Sequence, residues 1–129
     1  QPGLERVEFA AVEKGSGPLP TESEAMLTRY FRMQIQSMRF CGPAYYNVSL
    51  VEGFRSLALL FPVIVWLARW QAASQERTII TTTDITKAIS MADHHHGYSP
   101  ILASAGARRR VRLLSQRDDI SRLCAWFCG

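Results

Sequence analysis

A chain of 129 residues fits one domain, and 47% apolar with 20% charged residues excludes a disordered polymer. Three cysteines are odd in number and too few for a disulfide scaffold, which points to a reducing, cytoplasmic setting. The net charge of +4 is local: residues 1–94 balance nine Lys/Arg against nine Asp/Glu, while 95–129 hold six Arg against Asp118 and Asp119. An electrostatic partner is therefore to be sought at the C-terminal quarter.

Residues 1–20 read as an extended arm or linker without a basic-then-apolar signal segment. Val7, Phe9 and Ala11 alternate with Glu8, Ala10 and Val12, weakly like a strand. Thr21-x-x-Glu24 then has the spacing of a capping box, so a helix is expected from Glu22 to about Arg39. Leu27, Phe31, Ile35 and Met38 make its core stripe, with Met26, Tyr30 and Met33 beside them. Cys41-Gly42-Pro43 ends it, because Gly supplies a left-handed cap and Pro cannot continue the helix. The short connection that follows predicts an antiparallel neighbour.

That neighbour is the stretch Ser49–Trp70, opened by a second box, Ser49-x-x-Glu52. Every residue from Leu57 to Ala68 is apolar, so no face is left for water. The run falls short of the roughly 20 residues a membrane span needs, and Arg55 and Arg69 fence it. No membrane span is predicted. Pro62 removes one backbone donor and should kink the rod. Residues 71–77 are polar and read as a loop. Thr81 to Asp84 offers several N-caps for the next helix, whose buried stripe is Ile85, Ala88, Ile89 and Ala92; Lys87 and Asp93 are expected to face outward. Gly97 suits its C-terminus, and Ser99-Pro100 opens a short turn that Gly106 ends. A basic connection, ARRRVRLL, leads to Ser115-x-x-Asp118 and a last helix to Phe127. The expected fold is all-α: one orthogonal or antiparallel bundle of about five helices over 21–129.

Three groups carry candidate chemistry. His94, His95 and His96 are imidazole donors, but consecutive helical residues point about 100° apart, so they cannot all face one ion. Their place at a helix C-terminus also suits capping of the dipole. Cys124 and Cys128 stand at i, i+4, so their thiols share a face and supply half of a zinc or iron–sulfur site. The remaining ligands would come from Cys41, a histidine or an absent segment; the same thiols also serve as small buried hydrophobes. Arg108, Arg109, Arg110 and Arg112 put four guanidiniums into five residues and call for an anion: acidic side chains, phosphate or nucleic acid. Phosphate loops, nucleophile elbows and dinucleotide fingerprints are missing, so no self-contained catalytic motif is present.

The helix TRYFRMQIQSMRF, the segment LVEGFRSLALLFPVIVWLARW, the stretch TTTDITKAISMADHHHGYSP and the ending RRRVRLLSQRDDISRLCAWFCG together resemble the C-terminal helical region of cysteine-cluster proteins related to flagellin lysine-N-methylase. The resemblance covers about residues 18–129 and lacks the family's N-terminal Cys-rich motif, which is associated with a metal centre. It implies a non-catalytic accessory or interaction domain of a protein-lysine methyltransferase-like enzyme. Its partner would be an upstream domain or a protein substrate, docked by the Arg segment and the ends at Trp70 and Trp126. The alternatives are a small nucleic-acid- or anion-binding module using the Arg segment, and a metal enzyme using Cys124, Cys128 and a histidine.

Overall fold

The computed structural model describes residues 9–13, 18–43, 47–94, 105–116 and 118–128. Six helices fill them: α1 (Phe9–Glu13), α2 (Thr21–Ser37), α3 (Leu50–Ser74), α4 (Thr82–Ala92), α5 (Ala105–Gln116) and α6 (Asp119–Cys128). Among the described residues there is no strand, only an isolated antiparallel bridge between Gly42 and Val48. The all-α architecture expected from the helical periodicities is present, with helices also at Phe9–Glu13 and in the basic segment; the expected Gly97 cap and Ser99-Pro100 turn lie outside the described residues.

α3 is the axis. Ser49 caps it by accepting from the Glu52 N–H at 3.3 Å. α4 and α6 pack most extensively against it, and α1 and α5 also touch it. Ile64, Val65 and Ala68 on α3 and Ile85 and Ala88 on α4 are wholly buried, so the α3–α4 hairpin is the centre of the core. At 25 residues, with a mean hydropathy of 1.8 over its best window, α3 is long and apolar enough to cross a membrane by those two criteria. The expectation of a shorter rod is thus corrected. Residues 71–74, read as loop, extend the helix by a turn because Ala72 is buried and Ser74 Oγ donates to the Gln71 carbonyl.

Helix α3 also continues through Pro62, which is itself buried. Proline has no N–H to give the carbonyl four residues back. That carbonyl belongs to Ala58, and it accepts the Cys124 thiol from α6 at 3.5 Å. A side chain of a neighbouring helix thus supplies the donor that the sequence removes.

α4 starts with a complete capping box: Thr81 accepts from Asp84 N–H, and Asp84 accepts from Thr81 N–H. Asp84 is 1% exposed and also takes both ends of the Arg77 guanidinium, each at 2.9 Å. Arg77 donates as well to the Ile79 carbonyl and Gln75, so one side chain fixes the whole turn between α3 and α4.

The structure corrects four local expectations. The strand-like stretch near Phe9 is helical in α1, where Val12 is buried and no strand partner exists among the described residues. α2 begins at Thr21 after Pro20 with no side-chain cap, because Thr21 is already inside the first turn. α2 lies closest to α4, not against α3 along its length. Its approach to α3 runs through the Phe31 and Phe61 rings, 6.2 Å apart. Asp93 faces inward to accept the Tyr30 hydroxyl at 2.5 Å, tying α2 to α4. Burial, then this bond, push the Tyr30 hydroxyl well above its ordinary pKa.

α2 ends earlier than Gly42, at Met38, which takes a left-handed φ of 54°. A side chain in that region costs about 1 kcal/mol. Met38 is 50% exposed, so little packing is lost with it. Met38→Gly should therefore raise stability by roughly 0.5 kcal/mol, read as a higher melting temperature.

Candidate functional site

The arginine segment is α5, not a connection. Its Arg, Leu and Ala residues are strong helix formers, and Gly106 falls in the first turn with open space around it. Arg108 lies on α5, and Arg109 and Arg110 are exposed. Arg112 is committed elsewhere: its Nε donates to Glu52 Oε1 at 2.6 Å and its terminal nitrogen pairs with the same oxygen. Glu52 therefore completes only half of the box at Ser49; its carboxylate anchors α5 to the first turn of α3. Leu113, 54% exposed, stands at i+4 from Arg109 and i+3 from Arg110. The three side chains share one face of the helix, and Arg112, at i+3 from Arg109, flanks that face and ties it to α3.

Among the described residues the thiols and the His94 imidazole do not converge. Among the described residues no group of three His, Cys, Asp or Glu side chains could hold a metal ion. Cys41 is buried, Cys124 is engaged with the Ala58 carbonyl, and Cys128 is exposed. Burial, with a smaller push from Cys128, raises the Cys124 pKa, which disfavours the thiolate that a metal would need. His94 sits exposed past the end of α4, and His95 and His96 lie outside the described residues. The described donors therefore do not fit zinc or an iron–sulfur cluster by themselves. The tryptophans differ too: Trp126 is 74% exposed, whereas Trp70 is 6% exposed and belongs to the core.

Two features were not anticipated. The standoff of α2 from α3 leaves a groove of about 720 Å³, lined by Leu19, Leu27, Phe31, Ile35, Phe61 and Cys128 together with the polar Glu24, Thr28, Arg32 and Gln36. Arg69 is the other. It is 7% exposed, its Nε has no hydrogen-bond partner, and its guanidinium lies 4.9 Å from the centre of the Phe127 ring. Burial lowers its pKa from the usual arginine value, with no counter-charge offsetting that. The sequence signal was there: a charge between Ala68 and Trp70 reads as a fence at a helix end, but it becomes a core residue once the helix runs on to Ser74.

No protein-family model, no curated protein and no solved structure matches this chain.

Proposed function

We propose that this chain is a non-catalytic helical interaction domain whose α5 face takes an acidic, amphipathic protein segment. The observation that supports this most is the exposed trio Arg109, Arg110 and Leu113, with Arg112 used up in fixing the helix to Glu52. A partner helix carrying two carboxylates around one apolar anchor would meet two guanidiniums and a leucine at matching i, i+3 and i, i+4 spacing. The resemblance to the helical region of lysine-N-methylase-related proteins makes an upstream Cys-rich segment the first partner to try.

Fluorescence anisotropy with a labelled acidic peptide bearing a central leucine tests the reading. Wild type should bind it, and the double substitution Arg109→Glu, Arg110→Glu should weaken binding at least tenfold while leaving the melting temperature within a few degrees. Equal affinity for both proteins would reject this face as the binding surface. Stronger binding to duplex DNA than to peptide, weakening steeply with salt, would favour the nucleic-acid reading of the same arginines.

A further inference from the structure

Two rows of α2 line the groove, each at i, i+4 spacing. Leu27, Phe31 and Ile35 make the apolar row, and Glu24, Thr28, Arg32 and Gln36 make the polar one; Phe61 of α3 and Cys128 of α6 help to complete the lining. Burial falls along the apolar row: Leu27 is buried, Phe31 is half-buried and Ile35 is exposed. All four residues of the polar row are exposed, and among the described residues neither Glu24 nor Arg32 is in an ion pair. Their order is symmetrical. Glu24 and Arg32 stand one turn either side of Thr28, about 6 Å along the axis in each direction. Glu22 adds to the acidic first turn of the helix, and Arg29 adds to its basic second half.

We infer that α2 of a second copy of this chain lies antiparallel across the mouth of the groove, on a two-fold axis at Thr28. In that register Glu24 of each copy faces Arg32 of the other, so the row is its own complement, as an isologous interface requires. A parallel two-fold pairing would set Glu24 against Glu24 and Arg32 against Arg32, which repel. Exposed ion pairs add little affinity, so these select orientation and register. The attraction comes from apolar cover: Phe31, Ile35 and Phe61 lose water when a helix lies over them. Glu24 to Gln36 runs for about 18 Å, so the contact is several turns long. A foreign helix could cover the apolar row, but the order acid, Thr, base is one that this chain itself matches. No α5 residue lines the groove, so this contact is independent of the peptide-binding face.

Sedimentation equilibrium of the full chain over a concentration series tests this. Wild type should move toward twice the 14.5 kDa chain mass as concentration rises. Arg32→Glu sets carboxylate against carboxylate on both sides of the axis and should weaken the dimer by about tenfold. The swapped variant Glu24→Arg, Arg32→Glu restores opposite charges across the axis and should pair within about threefold of wild type. In a Cys128→Ser background, mild oxidation of Thr28→Cys should give a disulfide-linked dimer, because a residue on the axis meets its own copy. Gln36→Cys, two turns along the same row, should not link. The substituted side chains are all exposed, so the fold should tolerate each change. An Arg32→Glu dimer as tight as wild type, a swapped variant no tighter than Arg32→Glu, or equal linking at 28 and 36 would each overturn the proposal. A wild type that stays monomeric would overturn it too and leave the groove to a helix of another protein.

Discussion

Asp84→Asn should lower stability by about 3 kcal/mol, the range seen when one member of a buried ion pair is removed. Asparagine keeps the shape but turns one acceptor into an N–H₂ group facing the Arg77 donors. In the native protein one Asp84 oxygen accepts from Arg77, from Thr81 N–H and from the Thr81 hydroxyl, and the other accepts the second arm of Arg77. Losing them unpairs the start of α4 and the turn behind it together. A drop of roughly 10 °C in melting temperature is expected for a chain of this size. Burial by itself would raise the Asp84 pKa, but the Arg77 and Thr81 bonds outweigh it and hold the carboxyl below its ordinary value. The folded pKa is thus depressed, so this stabilisation is complete above about pH 4 and is lost as pH falls through the folded value. In Arg77→Met only the two Thr81 bonds still oppose the burial effect, so the acid-side loss traceable to Asp84 should shrink. Chemical denaturation at pH 3 and pH 7 measures both effects.

Gly53→Ala should destabilise by about 3 kcal/mol, although Gly→Ala inside an exposed helix normally stabilises by about 1 kcal/mol. The sign reverses because the chain leaving α2 presses directly on α3 at this residue. An added Cβ would collide with the Phe40 carbonyl oxygen and stand 2.9 Å from the Cys41 Cβ. Phe40 and Cys41 cannot retreat easily. Both are buried, Phe40 packs edge-on to Phe54, and Gly42 is bridged to Val48. Gly106→Ala is the internal control: it too lies in a helix, but nothing stands within 4 Å of its added carbon. That substitution should stabilise by up to about 1 kcal/mol. Thermal melts of the two variants, moving in opposite directions from wild type, would establish the close approach of α2's exit to α3.

Helix order was legible in the residues because local rules sufficed for it. The apolar run around Ile64 marked the core helix, although Phe61, Val63, Trp66 and Leu67 within it are only partly buried, and Thr81 through Asp84 spelled out a cap that the structure completes on both sides. Boundaries were less legible where tertiary partners override local signals. Polar residues 71–74 stay helical because Ala72 has a core to enter. Glu52 has the spacing to reach back to Ser49 but is drawn to Arg112, sixty residues away. Asp93 reads as solvent-facing until Tyr30 is placed above it. The α2 stripe shows the same limit: Leu27 is buried, yet Met33 and Ile35 on the far half are 62% and 42% exposed, since α2 diverges from α3. No periodicity in α2 alone encodes that angle, so the groove it opens was invisible beforehand. The arginines of α5 were recognisable as a group, but which of them is spent inside the molecule depended on the fold.

Hydrogen–deuterium exchange in aqueous buffer without detergent tests the central claim most directly, that α3 is the water-shielded axis of a helical domain. Amides from Leu60 to Ala72 should exchange slowest in the chain, at rates set by global unfolding, with those of Ile85 and Ala88 close behind. Fast exchange across Ile64, Val65 and Ala68, slowed only when micelles are added, would contradict it and make α3 a helix that seeks lipid.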